Sequence, residues 1–320
     1  MRARIPFVLG SAALLAACAH PRPRPAAEVA CRAVRADASR LRADVEALAS
    51  RFQPRSAAHP GNLARAGAFL AEAFRTAGAE VEEQTYPAFR STYRNVLARF
   101  GPDTPERIIV GAHYDAAGDD PGADDDASGV AGLLELARML AQSPPPIRVE
   151  LAAYTLEEPP GFATDSMGSV VHARSLKESE VRVRLMMSLE MIGAFSDAPG
   201  SQSVPVGMKR SAYPTTGNFI AVVGRSGHAG MVAEIAAAMR YASSVPVETL
   251  VASRDTPGVD LSDHRSFWDL DFPAVMVTDT AFFRNPRYHT PEDTPDTLDY
   301  RRMSEVIEGV HCVVQAVARR

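Results

Sequence analysis

Several places in this 320-residue chain put acids or imidazoles immediately beyond a short apolar run. His113-Tyr114-Asp115 follows the stretch 108–112, and Thr155-Leu156-Glu157-Glu158 follows 147–154. Glu190 follows 184–189, and Tyr288-His289 stands a short loop beyond 273–277. Between the first run and the next helical pattern lies Gly122-Ala123-Asp124-Asp125-Asp126-Ala127-Ser128-Gly129. Two imidazoles with carboxylates are what Zn²⁺ takes at a catalytic site, with one position left for water. Five protein donors are too many for one such ion and suit two ions sharing a carboxylate. Two metals roughly 3.5–4 Å apart can hold one hydroxide and clamp a tetrahedral intermediate. Without them the crowded acids would repel one another and partly protonate. Taken singly, each feature has a plainer use. A histidine after a strand generally hydrogen-bonds at the rim, and the acidic stretch 119–126 could be a solvated or calcium-binding loop. Their joint occurrence at successive strand ends outweighs those readings.

The elements that must position these residues are legible as helices alternating with short apolar runs. Leu41, Val45, Leu48 and Phe52 recur at helical spacing, as do Leu63, Phe69, Leu70 and Phe74, with Gly78 as the stop. Strands are expected at 96–98, 108–112, 147–154, 184–189, 219–223, 247–251 and 273–277. Helices are expected at 128–142, 166–176, 231–241 and 300–318. This alternation predicts an α/β fold: a single domain with a central, mostly parallel mixed β-sheet sandwiched between helices. In open sheets of that kind ligands bind beyond the carboxyl ends of the strands, where the acids and imidazoles fall.

At these residues the chain resembles the co-catalytic di-zinc exopeptidases, which include bacterial secreted leucyl aminopeptidases and the catalytic domains of glutamate carboxypeptidases. His113-x-Asp115, the loop 122–129, Glu157-Glu158, Ser262-Asp263-His264 and Tyr288-His289-Thr290-Pro291-Glu292-Asp293-Thr294 stand in the family order over about residues 40–318. The resemblance implies two Zn²⁺ per chain, with Asp125 bridging, His113 and Glu190 on one ion, and Glu158 and His289 on the other. It implies Glu157 as the general base, Asp115 accepting from the free ring nitrogen of His113, and Asp263 and His264 lining the site behind the ligands. The family commonly has Asp where Glu190 stands. Its aminopeptidase branch has a Tyr just before the Ser-Asp-His stretch, where this chain reads Gly258-Val259-Asp260-Leu261. Tyr288 therefore takes the expected oxyanion role, as in the carboxypeptidase branch. The implied activity is removal of N-terminal residues from peptides. The alternatives are carboxypeptidase or dipeptidase action on the same site, acyl transfer of the glutaminyl cyclase type, and a non-catalytic binding ectodomain.

The N-terminus reads as processing sequence. Arg2 and Arg4 precede an apolar run too short to span a bilayer, which needs about 20 residues. The run ends in Leu15-Ala16-Ala17-Cys18, which resembles the bacterial lipobox. Residues 1–17 are therefore expected to be a lipoprotein signal peptide, with Cys18 acylated. Residues 18–36, including the Pro-Arg alternation at 21–25, are expected to be a tether, and 37–320 the catalytic domain. The expected location is the periplasmic face of a bacterial membrane, leaning to the outer one. An oxidising compartment would permit a disulfide between Cys31 and Cys312. With 46% hydrophobic and 23% charged residues and a net charge of −5, the composition is that of an ordinary globular protein. No basic block asks for nucleic acid. The expected partners are a peptide substrate and the membrane, with no protein partner.

Overall fold

The computed structural model describes residue 31, residues 33–206 and residues 208–320. The expected signal peptide and Cys18, the expected lipidation residue, lie outside them. An eight-stranded mixed sheet forms the centre, in the order β1-β2-β4-β3-β5-β8-β6-β7. The strands are β1 (Glu80–Ala88), β2 (Ser91–Phe100), β3 (Glu106–His113), β4 (Arg148–Tyr154), β5 (Arg182–Glu190), β6 (Ile220–Arg225), β7 (Val247–Ala252) and β8 (Ala274–Thr278). β4, β3, β5 and β8 run parallel, whereas β1 and β2 form an antiparallel hairpin on one flank. On the other flank β6 pairs antiparallel with β8 and parallel with β7.

The hairpin strand β1 falls outside the expected strands. Its sequence, EVEEQTYPA, stays partly exposed along most of its length. An edge strand with one covered face gives a weaker apolar signal than β3, which is buried over its last six residues.

The helices are α1 (Ala38–Glu46), α2 (Pro60–Thr76), α3 (Gly129–Gln142), α4 (Gly168–Glu178), α5 (Ala229–Ala242), α6 (His264–Trp268) and α7 (Tyr300–Ala318). Caps set two of the starts. The Asp37 carboxylate accepts from the amides of Ser39 and Arg40 at α1, and that of Asp299 accepts from Arg302 at α7. Alternate residues along the strands divide the core. Ile108, Val110, Leu151, Met187 and Leu189 face one layer, which includes α1, α3 and α7. Ile109, Ala152, Met186, Ala221 and Met276 face a smaller layer containing Phe267 and Trp268 of α6. Beyond α6, loops rather than a helix cover this second face over β8, β6 and β7, and a cleft forms there.

Cys31 and residues 33–36, which fall within the expected tether, are described, and several of them lie against α7. Cys31 is buried and disulfide-bonded to Cys312 of α7, with Cα atoms 5.0 Å apart. Ala36 N–H and the Arg35 guanidinium both bond to Glu308. The chain is thus fastened to the body from residue 31, because α7 supplies both the thiol and the carboxylate.

Candidate metal centre

Three parallel strands bring the donors together in register. His113 ends β3, the loop after β4 carries Glu157 and Glu158, and Glu190 ends β5. His113 pairs with Tyr154, and Gly111 with Ser188, so the carboxyl ends of β4, β3 and β5 are level. The backbone turns sharply beside the donors. Leu156, Met191 and His289 all have positive φ, 61°, 51° and 54°. Non-glycine residues held there cost free energy and concentrate at functional sites.

Asp125 sits at the middle of the cluster. Its Oδ1 lies 3.2 Å from His113 Nε2, and its Oδ2 lies 3.0 Å from His289 Nε2. Glu158 Oε1 is 3.0 Å from His289 Nε2, and Glu190 Oε2 is 3.6 Å from His113 Nε2. Glu157 Oε2 stands 3.9 Å from His113 Nε2. Two sets of donor atoms, each within 4.8 Å of one another, result: His113, Asp126 and Glu190, and Asp125, Glu158 and His289. The residues expected at the site are therefore juxtaposed, and Asp126 joins them. Its Oδ1 accepts from the amides of Gly129 and Met191, while its Oδ2 has no partner.

The acidic loop is held by residues to which the sequence alone gave no role. Asp293 accepts from the amides of Asp124 and Asp125. Asn285 donates to Asp124, whose other oxygen accepts from Gly193 N–H. Arg55 is fully buried and gives its N–H groups to the carbonyls of Leu48, Tyr114, Pro121 and Gly122. The two glycines of the motif are needed for close approach. A Cβ on Gly122 would meet the Asp125 carbonyl at 2.3 Å, and one on Gly129 would meet the Asp126 carboxylate at 2.5 Å. Arg55 stands in a Pro54-Arg55-Ser56 stretch with no local signal, so only the tertiary fold reveals it.

The residues expected behind the ligands divide. His113 Nδ1 donates to the Asp115 main-chain carbonyl at 3.2 Å and lies 3.6 Å from its carboxylate. This leaves Nε2 as the lone-pair nitrogen facing the donors. The Asp115 carboxylate mainly accepts from the amides of Glu157 and Glu158, so it aims the acid pair. Asp263 is fully buried. His264 has another duty: its Nε2 donates to the Val259 carbonyl, and its ring packs edge-on against Trp268. Tyr288 stacks on His289 with ring centroids 3.8 Å apart. Burial, and then the surrounding carboxylates, raise its pKa, so the phenol stays a donor. Arg284, five residues before His289, is buried and bonds Gln202 Oε1 and the carbonyls of Ala194 and Phe219.

Electrostatics and satisfaction point the same way. Burial, and then the neighbouring carboxylates of Glu190 and Glu158, raise Glu157 well above the carboxylate range. Burial and Asp125 raise Glu158 to about 7. Burial opposes charge on Asp125 too, but the adjacent imidazoles of His113 and His289 outweigh it and lower its pKa. His113 Nε2, Glu158 Oε1 and Glu190 Oε2 are buried without a hydrogen-bond partner of good geometry. Buried polar atoms rarely stay orphaned. Orphaned imidazole and carboxylate donors converging from two sides fit borderline dications.

Comparison with known proteins agrees with this geometry. The chain is 45% identical over 283 residues to the uncharacterized protein YfbL of Escherichia coli, covering 86% of this chain and 87% of that one. The fold matches an aminopeptidase from Aneurinibacillus sp. strain AM-1 with a TM-score of 0.70 at 19% identity, over 90% of this chain and 95% of the other. It also matches a glutaminyl cyclase from Bacteroides thetaiotaomicron with a TM-score of 0.67 at 20% identity, over 88% and 98%. Such likeness speaks for the fold alone, so the donor set must decide the chemistry. The sequence pattern of peptidase family M28 matches residues 95–314, which include every donor named above. The chain belongs to peptidase family M28.

Proposed function

We propose that the protein is an aminopeptidase that works with two Zn²⁺. The observation that carries this is the shared Asp125, whose two oxygens lie 3.2 and 3.0 Å from the imidazoles of the two donor sets. His113 and Glu190 would hold one ion and Glu158 and His289 the other, with Asp126 beside the first. Bound zinc supplies Lewis acidity toward the scissile carbonyl and acidifies water. Glu157, poised by Asp115 through its amide, takes the proton of the attacking water and returns it to the leaving amine. Tyr288 donates to the carbonyl oxygen as it gains charge.

Attack at the N-terminus is favoured over the C-terminus by charge. A substrate carboxylate needs a cation, typically Arg. The residues lining the adjoining cleft include Glu190 and Glu248 and no Lys or Arg, and Arg284 is already committed. A free α-amine meets carboxylates instead. The test is hydrolysis of peptides with free or acetylated N-termini, alongside elemental analysis. Cleavage only of free N-termini, with about two zinc per chain, is expected. Trimming of acetylated peptides from the C-terminus, or a single tight zinc, would overturn the reading.

The same reading places the enzyme outside the cytoplasm on a lipid at Cys18. The buried Cys31–Cys312 disulfide supports export, since such bonds persist in oxidising compartments. Cys18→Ser should move the protein from the membrane to the soluble fraction. An unmodified mature N-terminus by mass spectrometry would refute it.

A further inference from the structure

The cleft beside the donors has a floor made by the sheet, and the register of that floor is informative. Glu190 pairs with Thr278, Thr278 with Ala221, and Ala221 with Glu248. These four residues form one lateral row across β5, β8, β6 and β7, and all four line the cleft. Three interstrand steps of about 4.8 Å put ~14 Å between the first and last Cα atoms. The row thus runs from a carboxylate of the metal centre to a second carboxylate at the far edge of the sheet. Between them stand only the small side chains of Thr278 and Ala221, which leave a trough. Its lining also includes Tyr213, Phe219 and Leu261.

Glu248 does not belong to the donor set, and the expected mechanism does not use it. Its side chain is half-buried, and no described residue pairs with it or donates to it. At the end of the trough opposite Glu190, a carboxylate that no described residue pairs with is a cation receptor. A neutral apolar substrate side chain would gain nothing from it. Lysine and arginine side chains, about 6–7 Å long, would lay their methylene stems over Thr278 and Ala221. Their charged ends would reach the Glu248 carboxylate, a stem lying on small side chains with its charge at the tip.

We propose that the cleft receives the side chain of the N-terminal residue and selects lysine or arginine through Glu248. This rests on the aminopeptidase reading above. The probes are chromogenic amides of lysine, arginine, leucine and norleucine, norleucine being close to the lysine stem without its cation. For the zinc-loaded natural enzyme, kcat/KM for lysine should exceed that for norleucine by roughly 10-fold or more, the usual worth of a hydrogen bond to a charged group. Glu248→Gln should bring the ratio near one, and Glu248→Lys should invert it. Melting curves of both variants check folding, which a half-exposed strand residue should survive. Norleucine or leucine amides cleaved as well as lysine by the natural enzyme would overturn the proposal. So would a Glu248→Gln loss equal on lysine and norleucine. Failure to cleave any amide with a free amine would overturn the aminopeptidase reading and this proposal with it. Good cleavage of leucine without a lysine preference would overturn this proposal alone.

Discussion

Glu150 and Glu190 are both buried glutamates of the central sheet, on β4 and β5, and the chain treats them in opposite ways. Glu150 receives His172 Nε2 at 2.9 Å, Arg99 Nε at 2.5 Å and Arg107 at 3.5 Å. Burial would raise its pKa, but the bonds from His172 and then Arg99 bring it down to about 2. Among the described residues Glu190 has only the His113 imidazole, at 3.6 Å, and no guanidinium within ion-pair distance, and burial raises it. Buried Arg55 spends its N–H groups on four main-chain carbonyls. Where a buried acid is structural, this chain supplies its own counter-charge. Where it withholds one, an external dication belongs.

Removing metal should break that contrast most severely. Chelation is expected to abolish turnover, with activity restored by added zinc. It should also impose a pH dependence on stability. Glu158, raised to about 7, binds its proton more tightly in the folded than in the unfolded chain. The metal-free protein therefore loses stability as pH rises from about 5 to about 8. His289, raised to about 10 because the adjacent carboxylates of Asp125 and Glu158 outweigh its burial, adds a loss of the same sign on approaching that value. The metal-loaded protein should lack this slope, because bound dications take over the protons' role. Melting temperatures across pH with and without chelator decide it. A flat chelated profile would mean that the acids are neutralised from within.

The adjacent acids sharpen the comparison further. Glu157→Gln keeps the shape but removes the basicity, so kcat should fall by about 10²–10⁴ with zinc retained. Glu158→Gln should lower zinc occupancy, since its Oε1 lies against His289. Metal content and turnover measured on both variants settle the assignment; zinc lost from the first and kept by the second reverses it. Tyr288→Phe should cost less, roughly 10²–10³ in kcat at near-constant KM, the usual loss for one oxyanion donor. An unchanged kcat would assign the charge elsewhere.

The two regions differ in legibility for a physical reason. The donors show in sequence because each follows an apolar strand, and chemistry demands particular residue types there. β1 was not visible because a half-exposed edge strand alternates weakly, and its turn at Phe89 and Arg90 lacks a usual hairpin pair despite positive φ at both. Asp115 was legible as a partner of the site, but not that its carboxylate would take the amides of Glu157 and Glu158. His264 was drawn to the site by its neighbours in sequence, whereas its ring is spent on Val259 and Trp268. The row from Glu190 to Glu248 is invisible for the same reason as Arg55. It depends on lateral register among strands far apart in the chain.

The smallest effect on turnover is expected from the structural acid. Glu150 sits in mid-strand below the donors, and Tyr154, which ends the same strand, donates to or accepts from His172 Nδ1 at 2.9 Å. Glu150→Gln keeps the volume but leaves Arg99 and His172 without their charge partner. Breaking a fully buried pair costs about 3–5 kcal/mol. Arg99 and Arg107 are each nearly one-fifth exposed, so water recovers part of that and about 2–3 kcal/mol is the expectation. The pH signature has the opposite sign to that of the rim. A carboxyl depressed to about 2 contributes stability that is present above about 4.5 and lost as pH falls toward 2. Glu150→Gln should therefore flatten the acid limb of the stability profile while kcat at neutral pH changes only severalfold. Zinc content should be unchanged. Denaturant unfolding between pH 2 and 7 reads the first expectation, and elemental analysis reads the last. If Glu150→Gln released zinc, or left the acid limb as steep as before, the division between a self-neutralised acid and a metal-neutralised one would fail.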